Sequence, residues 1–181
     1  MLPPKLALLF SEMERVRGET LATVSGLSEE EYSRGEGEEW SPAQILSHLL
    51  LAETGTSKVI RKAIRTAGEG MPPYPADDSE LAAREFPEPD GPRKAPESVL
   101  PGTTPPGREE LLRQAREVRE RTTETFAMLA GVDPRAATFP SPALGPLNLY
   151  EWPAVIVLAH EREHLAQLRS LLSRRRGRSA G

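Results

Sequence analysis

The sequence predicts an all-α protein, a four-helix bundle. Three observations carry this. Four stretches space their apolar residues by threes and fours, the period of an amphipathic helix. No run of any length alternates with the period of a strand, and there is no internal repeat. Proline- and glycine-rich segments separate the periodic stretches. The 181 residues suffice for one domain with a substantial core. The expected domain spans 1–173, followed by a basic, disordered tail over 174–181.

The first helix is expected over about 6–27, from the stripe Leu6, Leu9, Phe10, Met13, Val16, Thr20, Val24 and Leu27. Ser28 to Glu31 forms a capping-box pattern for a short turn, and the Glu-rich run to Glu39 reads as a solvated loop. The second helix, about 41–66, has a strong start. Ser41 suits the N-cap, Pro42 the first turn, and Gln44 closes a capping box, with Trp40 placed to staple onto Ile45. Its inward stripe is Ile45, His48, Leu49, Ala52, Thr56, Val59 and Ala63, ending at Gly68 and Gly70.

Residues 71–106 hold ten of the 18 prolines, with room for one short helix over about 79–85. A linker this long is uncommon inside a domain, and one reason for it is a crossover that lets consecutive helices run parallel. The third helix is expected over about 107–130, with Leu111, Ala115, Val118, Thr122, Phe126 and Leu129 inward. Residues 132–147 read as loop. Asn148 to Glu151 offers a capping box for the fourth helix, about 149–173, whose inner face carries Val157, His160, His164, Leu168 and Leu171.

The chain has no cysteine, so thiolate metal sites and disulfides are excluded. A net charge of −4 gives no argument for nucleic acid as a partner. No apolar run approaches the roughly 20 residues of a membrane span, and the N-terminus lacks a signal-peptide pattern, so the expected location is the cytoplasm.

The chemistry concentrates in the three histidines. His160 and His164 stand four apart, on one face of a helix. His48 occupies an inward position on another. Bundle metal sites are built from such facing side chains, and three neutral imidazoles leave a coordination position open. His48, His160 and His164 are therefore the expected ligands of a divalent ion, against the blander alternative of three hydrogen-bonded core histidines. Zinc, nickel, iron and manganese all tolerate imidazole, so the donor set does not choose the metal; zinc and nickel are the first expected, with iron and manganese as alternatives.

Two rival motifs overlap these residues. His160 to His164 reads H-E-x-x-H, the zincin signature with Glu161 as base. The tail beyond His164 supplies no further His, Asp or Glu, which argues against a protease. Helical geometry also turns Glu161 about 100° from the ligand face. Glu161 to His164 has di-iron spacing, but Ile45 stands where the second copy needs a carboxylate. Smaller expectations are a solvated Glu53, with an acceptor for an imidazole N–H as its alternative, a Gln167 lining the pocket or capping a polar patch, and Trp40 and Trp152 as packing residues.

The segments Trp40 to Leu49, Ser141 to Trp152, and His160 to Leu168 together resemble the DinB/YfiT-like family. The resemblance implies a bundle in up-down-down-up order, which agrees with the long crossover. It implies a metal held by a histidine triad, carried over to His48, His160 and His164. Relatives include transferases and isomerases dependent on low-molecular-weight thiols such as bacillithiol or mycothiol, and dimers are common. The expected function is thus metal-dependent transfer of a small thiol to, or hydrolysis of, a small electrophilic substrate, in a homodimer. The alternative is a non-enzymatic binding or stress-response bundle.

Overall fold

Local capping boxes start some of the helices in the computed structural model, which describes residues 1–67, 70–86 and 95–179. Helix α1 (Pro4–Ser25) opens with proline in its first turn. Ser28 caps the short α2 (Glu29–Ser33) through a reciprocal box with Glu31. At α3 (Pro42–Ala67) the expected box forms: the Gln44 amide donates to Ser41 Oγ, and the Ser41 amide to Gln44 Oε1. Helix α4 (Arg108–Leu129) follows, then strands β1 (Thr138–Ser141) and β2 (Gly145–Asn148). Last come a π-helical segment (Trp152–Ala159) and α5 (His160–Ser179), together the fourth bundle helix.

Cross-helix pairs fix the directions. Glu12 pairs with Arg162 and Glu19 with Arg169, so α1 and α5 run parallel. Glu53 pairs with Arg119 and Arg61 with Glu124, so α3 and α4 run parallel. Phe10 packs on Phe126 and Glu14 pairs with Arg119, so α1 and α4 are antiparallel. The order is up-down-down-up. The long crossover between α3 and α4 is what permits the parallel pair.

Apolar side chains fill two clusters. One gathers Leu6, Leu9, Met13, Ile60, Phe126, Leu129 and Val157. The other gathers Val24, Leu46, Leu50, Leu111, Ala115, Leu168 and Leu172. The crossover is held against the bundle on both sides of its undescribed stretch, later through Val99 and Gly102 and earlier by apolar packing. Leu81 is buried, and Met71, Tyr74 and Phe86 pack on the first cluster. Asp78 accepts a hydrogen bond from the Lys5 amide at 2.9 Å, so the crossover caps α1, whose own Pro3 supplies no side-chain cap.

Several expectations need correction. Residues 132–147 are not all loop: β1 and β2 pair as an antiparallel hairpin, Ser141 opposite Gly145. Gly145, at φ +72°, takes the left-handed position that closes its three-residue turn. Residues 81–86 carry no helix, and the described crossover instead forms one 3₁₀ turn, Glu97–Val99. The tail is helical to Ser179, beyond the expected end at 173. Its charges are used: Arg174 pairs with Glu36 and Glu39, and Arg175 donates to the Glu31 carbonyl at 2.9 Å. The Glu-rich run is therefore partly docked rather than merely solvated. The expected stop at Gly68 and the last two residues of the tail lie outside the described residues. No helix among them is long and apolar enough to cross a membrane.

Candidate metal centre

His48 sits two turns into α3, on the buried side that its apolar neighbours Ile45 and Leu49 define. His160 is the first residue of α5 after the π-helical segment, and His164 follows one turn later. That segment begins at Trp152–Pro153, just after a capping box in which Asn148 and Glu151 bond reciprocally. Arg84 of the crossover grips the buried Glu151 carboxylate with both Nε (2.5 Å) and Nη2 (3.0 Å). Burial works against that charge, but Arg84 and the Asn148 amide hold the Glu151 carboxyl below its ordinary range. Wide π turns of this kind often occur at functional sites, and here they end at a histidine of the cluster.

The structure brings all three histidines together. His48 Nε2 lies 3.0 Å from His160 Nε2, and His164 Nε2 lies 3.0 Å from the same atom. One donor atom from each ring falls within 4.8 Å of the others. Nitrogens at about 2.0–2.1 Å from a tetrahedral ion stand roughly 3.3 Å apart, so the spacing suits one ion. Trp40 covers the group, 4.8 Å from the His48 ring and stacked at 6.2 Å on His164.

The outer nitrogens define what faces inward. His48 Nδ1 donates to the Val99 carbonyl at 2.7 Å, since a carbonyl can only accept. His164 Nδ1 bonds Gln167 Oε1 at 2.8 Å. Burial, partly opposed by the Val99 bond, lowers the His48 pKa, and burial likewise lowers that of His164, so both rings favour the neutral form. A neutral ring with its proton on Nδ1 turns a bare lone pair at Nε2. Two lone pairs thus converge on His160 Nε2, which carries at most one proton and can satisfy only one of them. A cation at the centre removes that conflict, and the donor set fits one.

Other expectations fare differently. Glu53 is not solvated: it is fully buried and binds Arg17, Arg119 and Thr122 rather than an imidazole. Glu161 does point away from the histidines, yet it too is buried, in a two-point bond with Arg17. Gln167 touches the site directly. The Val99 carbonyl was not foreseeable, because a backbone atom of a proline-rich linker carries no sequence signal. Arg17 was: Met13, Arg17, Thr20 and Val24 continue the inward spacing of the first helix.

Similar proteins agree with this frame. The chain is 26% identical over 162 residues to the uncharacterized protein YuaE of Bacillus subtilis (strain 168), spanning 89% of this chain and 95% of that one. A solved structure, the four-helix bundle protein TT2238, matches with a TM-score of 0.62 over 91% of this chain and 98% of its own, at 23% identity, and so supports the fold. The sequence pattern of the DinB superfamily matches residues 12–168, a stretch that begins within α1 and includes all three histidines. The chain belongs to the DinB superfamily.

Proposed function

We propose that His48, His160 and His164 bind a divalent metal ion, zinc or nickel first, and that the protein is a metal-dependent enzyme acting on a small electrophilic substrate. The observation that carries this is the convergence of three imidazole Nε2 atoms from two helices, two of them 3.0 Å from the third. When bound, such an ion supplies Lewis acidity, which activates a nucleophile at neutral pH. The chain's own residues do the rest. Val99 and Gln167 hold the His48 and His164 rings with their lone pairs inward. Trp40 packs its ring against His48 and His164.

The nucleophile is a low-molecular-weight thiol or water, a reading supported by the family likeness. Glu161 and Glu53 are both tied to Arg17, so neither serves as a general base. The same likeness supports a homodimer, and the lack of a signal-peptide pattern supports a cytoplasmic one. The test is a turnover screen of zinc- and nickel-loaded protein with several small thiols, and with water alone, against small electrophiles. Metal-dependent turnover that disappears in His48→Ala supports the proposal. Stoichiometric metal without turnover across the screen would leave a metal-binding bundle and reject the enzyme.

A further inference from the structure

One charged side chain from each bundle helix enters a single buried layer between the two apolar clusters. Arg17 of α1 donates from Nε to Glu161 Oε1 (2.6 Å) and from Nη2 to Glu161 Oε2 (3.0 Å). Nη2 also donates to Glu53 Oε2 of α3 at 2.9 Å. Arg119 of α4 reaches Glu53 Oε1 at 3.3 Å, and Thr122 donates to the same oxygen at 2.7 Å. The Arg17, Glu53 and Glu161 side chains are 5%, 0% and 1% exposed. One guanidinium therefore joins the two helices that carry the histidines: Glu161 follows His160 directly, and Glu53 lies five residues beyond His48.

We propose that Arg17 is a positioning residue, setting the axial register of α3 against α5 so that His48 meets His160 and His164. This rests on reading the triad as a metal site. The histidine cluster tolerates little axial slip. A helix advances 1.5 Å per residue, so a slip of one residue is half of the 3.0 Å separation between His48 Nε2 and His160 Nε2. Apolar clusters oppose such a slip weakly, because hydrophobic contact is non-directional. A planar guanidinium bonded at three points to two carboxylates does not slide without breaking bonds. Burial lowers the Arg17 pKa, but Glu53 and Glu161 more than reverse this and keep the clamp charged.

A merely structural role and a positioning role separate in a charge-balanced variant. Arg17→Met/Glu161→Met removes one charge of each sign and leaves Glu53 with Arg119. Replacing a buried ion pair by apolar side chains is often neutral or stabilising. The expected result is a double variant that melts near the wild type yet holds zinc at least about tenfold more weakly, read by competition with a chromophoric chelator. In the metal-free proteins, the imidazole ¹⁵N shifts of His48 and His164 should differ between wild type and variant. Zinc affinity within twofold of wild type, with unchanged imidazole shifts, would overturn the proposal.

If the double variant does not fold, Arg17→Lys decides, because it keeps the charge and loses the fork. Weaker zinc binding at unchanged melting temperature supports positioning, and wild-type binding refutes it. If the wild type takes up no zinc, nickel or manganese, the metal reading fails, while the imidazole spectra of the metal-free proteins still decide the register claim.

Discussion

Two polar clusters lie inside this bundle, side by side along α5, and they are finished in different ways. In the charge layer opposite charges meet: the Arg17 guanidinium answers Glu161 and Glu53, and Arg119 adds a second cation, although Arg17 Nη1 and Arg119 Nη1 are buried without a hydrogen-bond partner among the described residues. The histidine cluster is made of like groups. Its outer nitrogens are bonded to Val99 and Gln167, while its inner ones turn lone pairs on one another. Buried charges are tolerated when opposite charges neutralise them, as in the first cluster. The second has a donor set that one cation would complete. Adjacent residues fall on opposite sides of this division, Glu161 in one cluster and His160 in the other.

The sharpest way to break the first cluster is to remove its central cation. Arg17→Met alone leaves two buried carboxylates short of a partner, and should cost about 3–5 kcal/mol in chemical denaturation. A loss below about 1 kcal/mol would mean that Arg119 compensates and that the layer is less interlocked than its geometry indicates.

Breaking the second cluster should have the reverse signature. His160→Ala removes the nitrogen that both other rings face, so metal uptake should fall at least about a hundredfold. Without metal, the same variant should lose little stability, because it relieves a lone-pair conflict. Isothermal titration beside thermal melts reads both quantities.

Gln167→Leu sharpens the comparison more gently. It frees His164 Nδ1, which then has no acceptor to hold its proton outward, and zinc affinity should drop about tenfold. Gln167→Glu retains an acceptor and should bind zinc at least as well as Gln167→Leu.

The smallest effect is that of pH on the metal-free protein. Folded His48 and His164 have pKa values below the ordinary 6.5, from burial first. The unfolded chain therefore takes up protons first as pH falls. Stability from these rings is complete above pH 6.5 and declines from there down through the lowered folded values. Urea denaturation at pH 7.5 and 5.5 should show this loss in wild type and less of it in His48→Gln/His164→Gln.

What the sequence could express was local or periodic. The Ser41–Gln44 capping box sits on contiguous residues and formed as expected. His48 declared its inward position through the stripe that includes Ile45 and Leu49. Ten prolines between two helical patterns announced a crossover, and α3 and α4 are indeed parallel. What stayed hidden depends on partners far along the chain. Glu53 reads as a surface acid until Arg17, 36 residues away, is brought against it. The hairpin is masked by Pro140, Pro142 and Pro146, which read as loop in so short a stretch. The π-helical segment at Trp152–Ala159 leaves the apolar pattern unchanged while altering the turn on which His160 begins.

The central claim, that the histidine cluster is completed by a metal ion, is tested most directly by zinc titration of protein carrying no affinity tag. One ion per chain is expected, abolished in His160→Ala and weakened in Gln167→Leu. No uptake of zinc, nickel or manganese by the wild type, or uptake unaffected by His160→Ala, would contradict it.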